Sequence, residues 1–506
     1  MSQAAGTLPD DYASALQLLY DRINYERVSQ TPYTSQNYRL DRMRALLEQL
    51  GCPHQSYPIV HVAGTKGKGT TATLIYDVLR ANGLKAGLYT SPHLLKLEER
   101  FQCGGLQCSS DQLVALARQA LDAALRIEAR GMGRPTFFEV TTAMGMLYFA
   151  QQRADCVVLE VGLGGRLDST NVCQPIVTVV TSISLDHQAQ LGHTIAEIAG
   201  EKAGIIKPGV PCISTARHPD AREVLQRVAA QQDSPLLLLD RDFEVSWQAL
   251  PSSAAGDLVA AVAMQPNERP SDHSLSKLRA GDDAVAQVEY QELSQCYPDS
   301  PFSHSTWQTR LLGRHHADNL AGTVAVVNWL RSVAGWNLDP LLSYQAIAAS
   351  HPPARLQIIG RHPIRIIDAA HNPISILAAL KAIDDHFGSC HRVVVFASSR
   401  DKDYAQMLKH ILEHCDRLIV TAFQENPRAV APGMLCDAAV AVQCERGKNE
   451  QSGACRIIEI AETPALAWQR ANAICPQNGL ILAIGSFFLA AELMASLNIM
   501  HGESTV

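Results

Sequence analysis

A chain of 506 residues is too long for one compact core, so two or more domains are expected, and 47% hydrophobic residues excludes a disordered or fibrous polymer. The formal charge of -7 argues against nucleic acid as a partner, because a phosphate backbone calls for concentrated Lys and Arg. Thirteen cysteines with no CxxC pair resemble no zinc framework and read as reduced thiols. The N-terminus, MSQAAGTLPDDYASAL, is polar and acidic, and no stretch approaches the roughly 20 apolar residues of a membrane span, so a soluble, cytoplasmic chain without a membrane partner is expected.

Along the chain, short β-branched runs alternate with amphipathic stretches, the pattern of βαβ units around a parallel sheet. Strands are predicted at 58–63, 85–90, 155–161, 176–183 and 236–239, with helices at 70–81, 111–130, 138–151 and 195–206. Residues 248–306 break this rhythm; they are rich in Ser, Ala, Asp and Pro, lack a sustained apolar period, and read as a surface insertion. A helix at 317–334 precedes "SHPPARLQIIG", whose paired prolines suit a hinge. The alternation then restarts, with strands at 364–367, 392–396, 417–421, 456–460 and 480–484. The expected architecture is α/β: a parallel-sheet domain over 1–350, then a smaller Rossmann-like domain over 355–506.

"HVAGTKGKGTT" carries the most specific chemistry. An apolar strand ends at Gly64 and a helix starts near Thr70, so Gly64, Thr65, Gly67 and Gly69 occupy a strand-to-helix turn whose N–H groups can surround an anion. Lys68 supplies charge for the outer phosphates, and the Thr70 hydroxyl is within reach of a magnesium ion. The pattern is a variant phosphate loop, with Gly69 between Lys68 and Thr70. Two further strands end in metal-capable residues, Glu160 in "VVLEVGLGGRLDSTNV" and Asp186-His187 in "TSISLDHQAQLG", while "YTSPHL" places Ser91 at a third. In "AEIAGEKAGIIKPG" the side chain of Lys202 needs a counter-charge, and Glu201 or Glu197 is the partner expected from local spacing.

The motifs "AGTKGKGTT", "YTSPHL", "LEVGLGGRLDSTN", "TSISLDHQAQLG", "GEKAGIIKPG", "LLGRHHADNLA" and "IDAAHNP" occur in the order found in folylpolyglutamate synthases and the related dihydrofolate synthases. The chain resembles that family from about Asn24 to "GSFFLAAELM", apart from the insertion. The resemblance implies an amide ligase in which ATP phosphorylates a folate carboxylate and the amine of L-glutamate attacks the acyl phosphate. It implies reduced folate, and also dihydropteroate, as acceptors, and a monomer. On this resemblance Gly67, Lys68, Gly69 and Thr70 match the phosphate loop, and Ser91, Glu160 and His187 match the Mg²⁺ ligands. Lys202 matches a carbamylated lysine, Asn319 and Arg355 match nucleotide contacts, and Asp368, His371 and Ser486 match the amino-acid side of the reaction. Asp368 is expected to orient or deprotonate the incoming ammonium. Ala354 departs from the glycine common before this arginine. Near the N-terminus Tyr33, Tyr38 and Arg39 are candidate pterin contacts. Two alternatives stand beside this reading: a Mur-type cell-wall ligase, disfavoured by the lack of a UDP-binding region before His61, and a nucleotide-dependent switch, which would not need Asp368 and His371.

Overall fold

Runs such as "IVHVA" and "CVVLE", apolar except for His61 and the terminal Glu160, suit strands covered on both faces; they are buried at every position and form the centre of the first sheet. A computed structural model describes residues 8–24, 34, 38–250, 285–294, 297, 300–449 and 456–497. Its first sheet contains β1 (Ile59–Ala63), β2 (Ala86–Tyr89), β3 (Phe101–Cys103), β4 (Leu106–Gln107), β5 (Cys156–Glu160), β6 (Val177–Val180), β7 (Cys212–Ser214) and β8 (Leu236–Leu238). Their order is β4-β3-β2-β5-β1-β6-β7-β8, parallel except for the β2-β3-β4 edge. β1 lies between β5 and β6, so the residues that follow these three strands emerge side by side at one edge. The helices Lys68–Ala81 and His315–Ser332 cover one face, and Ser110–Ala129 and Phe137–Gln151 cover the other.

The sequence reading missed the β3-β4 hairpin, β7 and two N-terminal helices, Tyr12–Tyr20 and Leu40–Gln49. It also misread the flanks of the insertion. β9 (Phe243–Ala249), β10 (Ala286–Glu292) and β11 (His304–Thr309) form a separate antiparallel sheet. β10 alternates cleanly, burying Ala286, Val288, Tyr290 and Glu292. The pattern was obscured because a carboxylate, Glu292, takes one core position, where the Tyr290 hydroxyl donates to it at 2.6 Å. Residues 251–284 and Tyr33 lie outside the described residues. Arg39 is engaged with Asp41 and the Met132 carbonyl, and Tyr38 packs on the core cluster around Ile198.

The second sheet contains β12 (Gln357–Arg361), β13 (Ile364–Ile367), β14 (Arg392–Phe396), β15 (Arg417–Val420), β16 (Ile457–Ile460) and β17 (Leu480–Ile484), in the order β12-β13-β17-β14-β15-β16. Five strands match the predicted ones to within a residue; β12, antiparallel to β13, was not anticipated. The connecting segment is held at its start, where the Ser350 hydroxyl donates to Asp77 on the helix Lys68–Ala81 at 2.7 Å. None of the helices among the described residues is long and apolar enough to cross a membrane. The eleven described cysteines are free thiols.

Candidate active site

The phosphate-loop helix begins in an unusual way. Gly67 is left-handed at φ 85°, and no side chain caps the helix Lys68–Ala81, so its first N–H groups are left for a ligand. A methyl group on Gly67 would lie 2.1 Å from Asn319 Oδ1, so only glycine lets the nucleotide-side helix His315–Ser332 press this closely against the loop. Lys68 is half-buried and, among the described residues, forms no hydrogen bond or ion pair, nor does the hydroxyl of Thr70, itself 3% exposed. Thr65 is tied down, its hydroxyl donating to the Ser184 carbonyl at 3.3 Å.

Glu160, at the tip of β5, is 5% exposed and accepts one hydrogen bond, from the Ser91 N–H at 3.2 Å. Burial pushes its carboxyl up, while Lys68, the Ser91 N–H, Arg355 and Arg100 oppose the shift. Its oxygens face the helix start, 3.5 and 3.6 Å from where a Gly69 methyl would stand. A buried carboxylate with one partner beside free hydroxyls suits a hard divalent cation, so Glu160, Thr70 and Ser91 fit magnesium by donor chemistry. Among the described residues no three His, Cys, Asp or Glu side chains converge on a point, so such a cation would rely on Glu160, hydroxyls and at most one imidazole. His187 follows β6 in a left-handed conformation at φ 50°. Its ring reaches solvent, but the crowded cleft strips hydration from it, and with Lys68, Lys402 and Lys66 nearby its pKa falls to about 4, leaving a neutral imidazole able to ligate.

Lys202 does not find the partner expected from spacing. Glu201 pairs with Arg166 at 2.7 Å, and Glu197 caps its own helix, so the buried Lys202 Nζ donates to the Gly64 carbonyl at 2.8 Å. Burial, with Lys68 and Lys66 adding like charge, lowers its pKa to about 7 despite Asp186. Sequence reasoning also missed the pair that borders it: Lys66 binds Asp186 at 2.7 Å, which holds that carboxyl well below its usual range against the opposing effect of burial.

The second domain contributes from the ends of β13 and β17. Asp368 is buried, and each of its oxygens already accepts a backbone N–H, from Leu356 at 2.7 Å and Ala370 at 2.8 Å. The carboxylate expected to meet the ammonium is therefore spent first on the hinge, where it braces Arg355. Ala354 and Leu356, on either side of that arginine, are left-handed at φ 52° and 46°, which explains why glycine suits position 354. Arg355 acts on Glu160 and Lys66 of the first domain, on Asp368 of the second, and on His315 and His316 at the start of the nucleotide-side helix. His371 places Nδ1 2.9 Å from the Ala369 carbonyl, which can only accept, so the proton sits on Nδ1 and Nε2 keeps its lone pair. Burial and the neighbouring Lys66 drop its pKa to about 3; Lys402 acts on both His371 and His187 across the cleft. Ser486 is 2% exposed and caps the helix Phe487–Ser496, accepting from the Phe488 N–H at 3.1 Å. Two surface hollows, beside Arg80 and Lys85 and beside Asp384 and His414, lie away from these strand ends.

Comparison with known proteins agrees with this arrangement. Residues 62–234 match the Mur ligase middle domain, and 354–487 match the Mur ligase glutamate ligase domain. The dihydrofolate synthase/folylpolyglutamate synthase of Bacillus subtilis is 33% identical over 402 residues, covering 79% of this chain and 84% of the relative. The folylpolyglutamate synthase of Lacticaseibacillus casei is 34% identical, covering 77% and 82%. Among solved structures, Mycobacterium tuberculosis folylpolyglutamate synthase complexed with ADP superposes with a TM-score of 0.76 at 27% identity, covering 96% of this chain and 99% of that one. E. coli FolC in complex with DHPP and ADP gives 0.73 at 25%, covering 99% and 100%. With an uncapped phosphate loop facing a hinge arginine and a second α/β domain, this chain belongs to the folylpolyglutamate synthase/dihydrofolate synthase family of ATP-dependent ligases.

Proposed function

We propose that the protein joins L-glutamate to a reduced folate, and also to dihydropteroate, through an acyl phosphate. The observation that carries the reading is Lys68: a half-buried, unpaired ammonium beside an uncapped helix start, with the buried carboxylate of Glu160 opposite. Gly64, Thr65, Gly67 and Gly69 would enclose the nucleotide phosphates, with Asn319 packed against them. Thr70, Ser91, Glu160 and His187 would hold Mg²⁺, which when bound supplies positive charge against the transferring phosphoryl group. Lys68 and Arg355 stabilise that charge from either side as the folate carboxylate oxygen bonds to phosphorus and the ADP oxygen leaves.

The free amine of glutamate then attacks the acyl carbon, the bond from that carbon to the phosphate oxygen breaks, and the departing phosphate carries away the amine proton. His371, neutral and with Nε2 free, is too weak a base to take the proton at its pKa of about 3; it accepts an N–H and orients the amine. Ser486 follows Gly485, whose N–H donates to the carbonyl of Ala370, the neighbour of His371, at 2.9 Å, and Asp368 keeps Arg355 in place from below the hinge. Division of these groups between two domains lets closure exclude water from an intermediate that hydrolyses readily. Lys202, with its pKa near 7, carries enough free amine at neutral pH to combine with CO₂; the resulting carbamate would reverse its sign and support the cation. We expect a monomer acting in the cytoplasm.

Phosphate release tests the reading. A ligase releases phosphate only when folate acceptor and glutamate are both present; ATP hydrolysis that ignores both would mark a switch instead. Running dihydropteroate and tetrahydrofolate side by side with labelled glutamate shows whether both acceptors are used.

A further inference from the structure

The motif "GLGGRLDSTN" begins two residues after Glu160, yet none of the steps above uses it. Its residues tie three elements together. At one end, Asp168 Oδ1 accepts the Thr170 N–H at 2.9 Å and the Thr170 hydroxyl at 2.5 Å, and Oδ2 accepts the Leu163 N–H at 2.9 Å. The single hydroxyl proton of Thr170 is thereby used, so Thr170 Oγ1 accepts from His61 Nε2–H at 2.9 Å. His61 is fully buried in β1, and burial lowers its pKa to about 3, so it remains a neutral anchor.

At the other end the loop interlocks with the helix Ile195–Ala203, which carries Lys202. A methyl group on Gly165 would lie 2.7 Å from the Glu201 carbonyl and 3.0 Å from that of Lys202. Reciprocally, one on Gly204 would lie 2.4 Å from Arg166 Cβ. Such contacts exclude any side chain at either position. The Arg166 N–H donates to the Glu201 carbonyl at 2.7 Å, its guanidinium holds the Glu201 carboxylate at 2.7 Å, and Asn171 Nδ2 donates to the carbonyls of Arg166 and Gly204, both at 3.0 Å. One short loop therefore runs from Glu160, is anchored on β1, and grips the peptide groups of Glu201 and Lys202.

We propose that this loop is the positioning element of Lys202, with Arg166 and Asn171 as its positioning residues. It sets where the Lys202 amine stands relative to Glu160 and the phosphate loop, and the inference rests on the reading of Lys202 as a working residue of that site. The Arg166 guanidinium is solvent-exposed, so the share lost on removing it is smaller than that of Asn171, whose two hydrogen bonds are sheltered.

The test uses the full chain with Arg166→Ala, Asn171→Ala, and the charge-exchanged pair Arg166→Glu with Glu201→Arg. Turnover is measured together with the rate at which trace acetic anhydride labels Lys202, read by peptide mass spectrometry against the other lysines. Arg166→Ala is expected to lower kcat about 5-fold and Asn171→Ala about 30-fold, with KM for ATP within about 2-fold. Both should label Lys202 several times faster, and the exchanged pair should return toward the parent on both readouts. A merely structural loop would lower thermal stability without changing Lys202 labelling relative to its neighbours, and that result in both variants overturns the proposal. Should Asn171→Ala fail to fold, Arg166→Ala and the exchanged pair decide the matter. Lys202→Ala with ordinary turnover would instead sink the reading beneath it, while an inactive Lys202→Ala with unchanged labelling in the loop variants would refute the positioning role alone.

Discussion

The strand ends of the two domains differ in how their helices begin. In the second domain, Asn372, Asp403, Thr463 and Ser486 cap the helices Pro373–Phe387, Tyr404–His414, Pro464–Ile474 and Phe487–Ser496 with their own side chains. In the first, Ile195–Ala203 and Pro219–Gln231 are capped likewise by Thr194 and His218, but the helices Lys68–Ala81 and His315–Ser332 follow Gly67 and Arg314 with no side-chain cap. The second domain's cap residues turn to their own helices, and His371, tied through Nδ1 to the Ala369 carbonyl, offers a single directed lone pair. The first domain leaves N–H groups, the ammonium of Lys68 and the hydroxyl of Thr70 without protein partners among the described residues. The difference indicates a first domain completed by its ligand and a second shaped before its ligand arrives.

The largest effect expected from this contrast is at Lys68. Lys68→Ala should cut ATP-dependent phosphate release by about 10³-fold or more, and should abolish the rise in melting temperature that ATP gives the parent protein. Ordinary turnover in that variant would erase the contrast. Next comes His371→Ala, which should raise KM for glutamate about 10- to 100-fold while KM for ATP stays within about 2-fold, since the two ligands meet different domains. Equal effects on both would mean that His371 had been assigned to the wrong side of the cleft.

A smaller, pH-dependent effect should come from Lys202. Its pKa falls from 10.5 when unfolded to about 7 when folded, so between those values the unfolded chain holds the extra proton. The Lys202 contribution to stability therefore improves as pH rises from 7 toward 10.5, and the cost of burying the charge is fully present below 7. Calorimetry of Lys202→Met should show a shallower rise of stability over that window than the parent; parallel curves would show that folding does not lower the pKa of the amine. The smallest effect is at the hinge. Ala354→Gly removes a left-handed alanine and should stabilise by about 0.5–1 kcal/mol, part of the relief being offset by the freedom of glycine in the unfolded chain. A fall in melting temperature would indicate that Ala354, which is fully buried, contributes more by packing than its backbone costs.

Several parts of this site could be read without coordinates. Largely apolar strands running up to Gly64 and Glu160 announce their own termini, because a strand buried on both faces carries few polar residues before it leaves the sheet. Other parts could not. Glu292 looked like a break in periodicity because the Tyr290 hydroxyl that accommodates it is visible only when β10 is paired and folded. The partner of Lys202 was misjudged because Glu201 adjoins it in sequence, yet adjacent residues of a helix point to different faces, and Arg166, 35 positions away, takes that carboxylate. The hinge contact of Asp368 was hidden for a similar reason: nothing local shows that Leu356, 12 positions earlier, donates to it.

By itself the sequence determined the α/β class, the phosphate loop, the family and the list of residues at strand ends, since periodicity and short-range motif chemistry need only neighbours along the chain. Tertiary structure alone decided which of those residues face one another: that Lys66 spends its charge on Asp186, that Lys68 stays unpaired, and that Arg355 is gripped by left-handed turns above Asp368. Charges compete for partners through space and in low dielectric, so their pairing depends on distances that no spacing along the chain encodes.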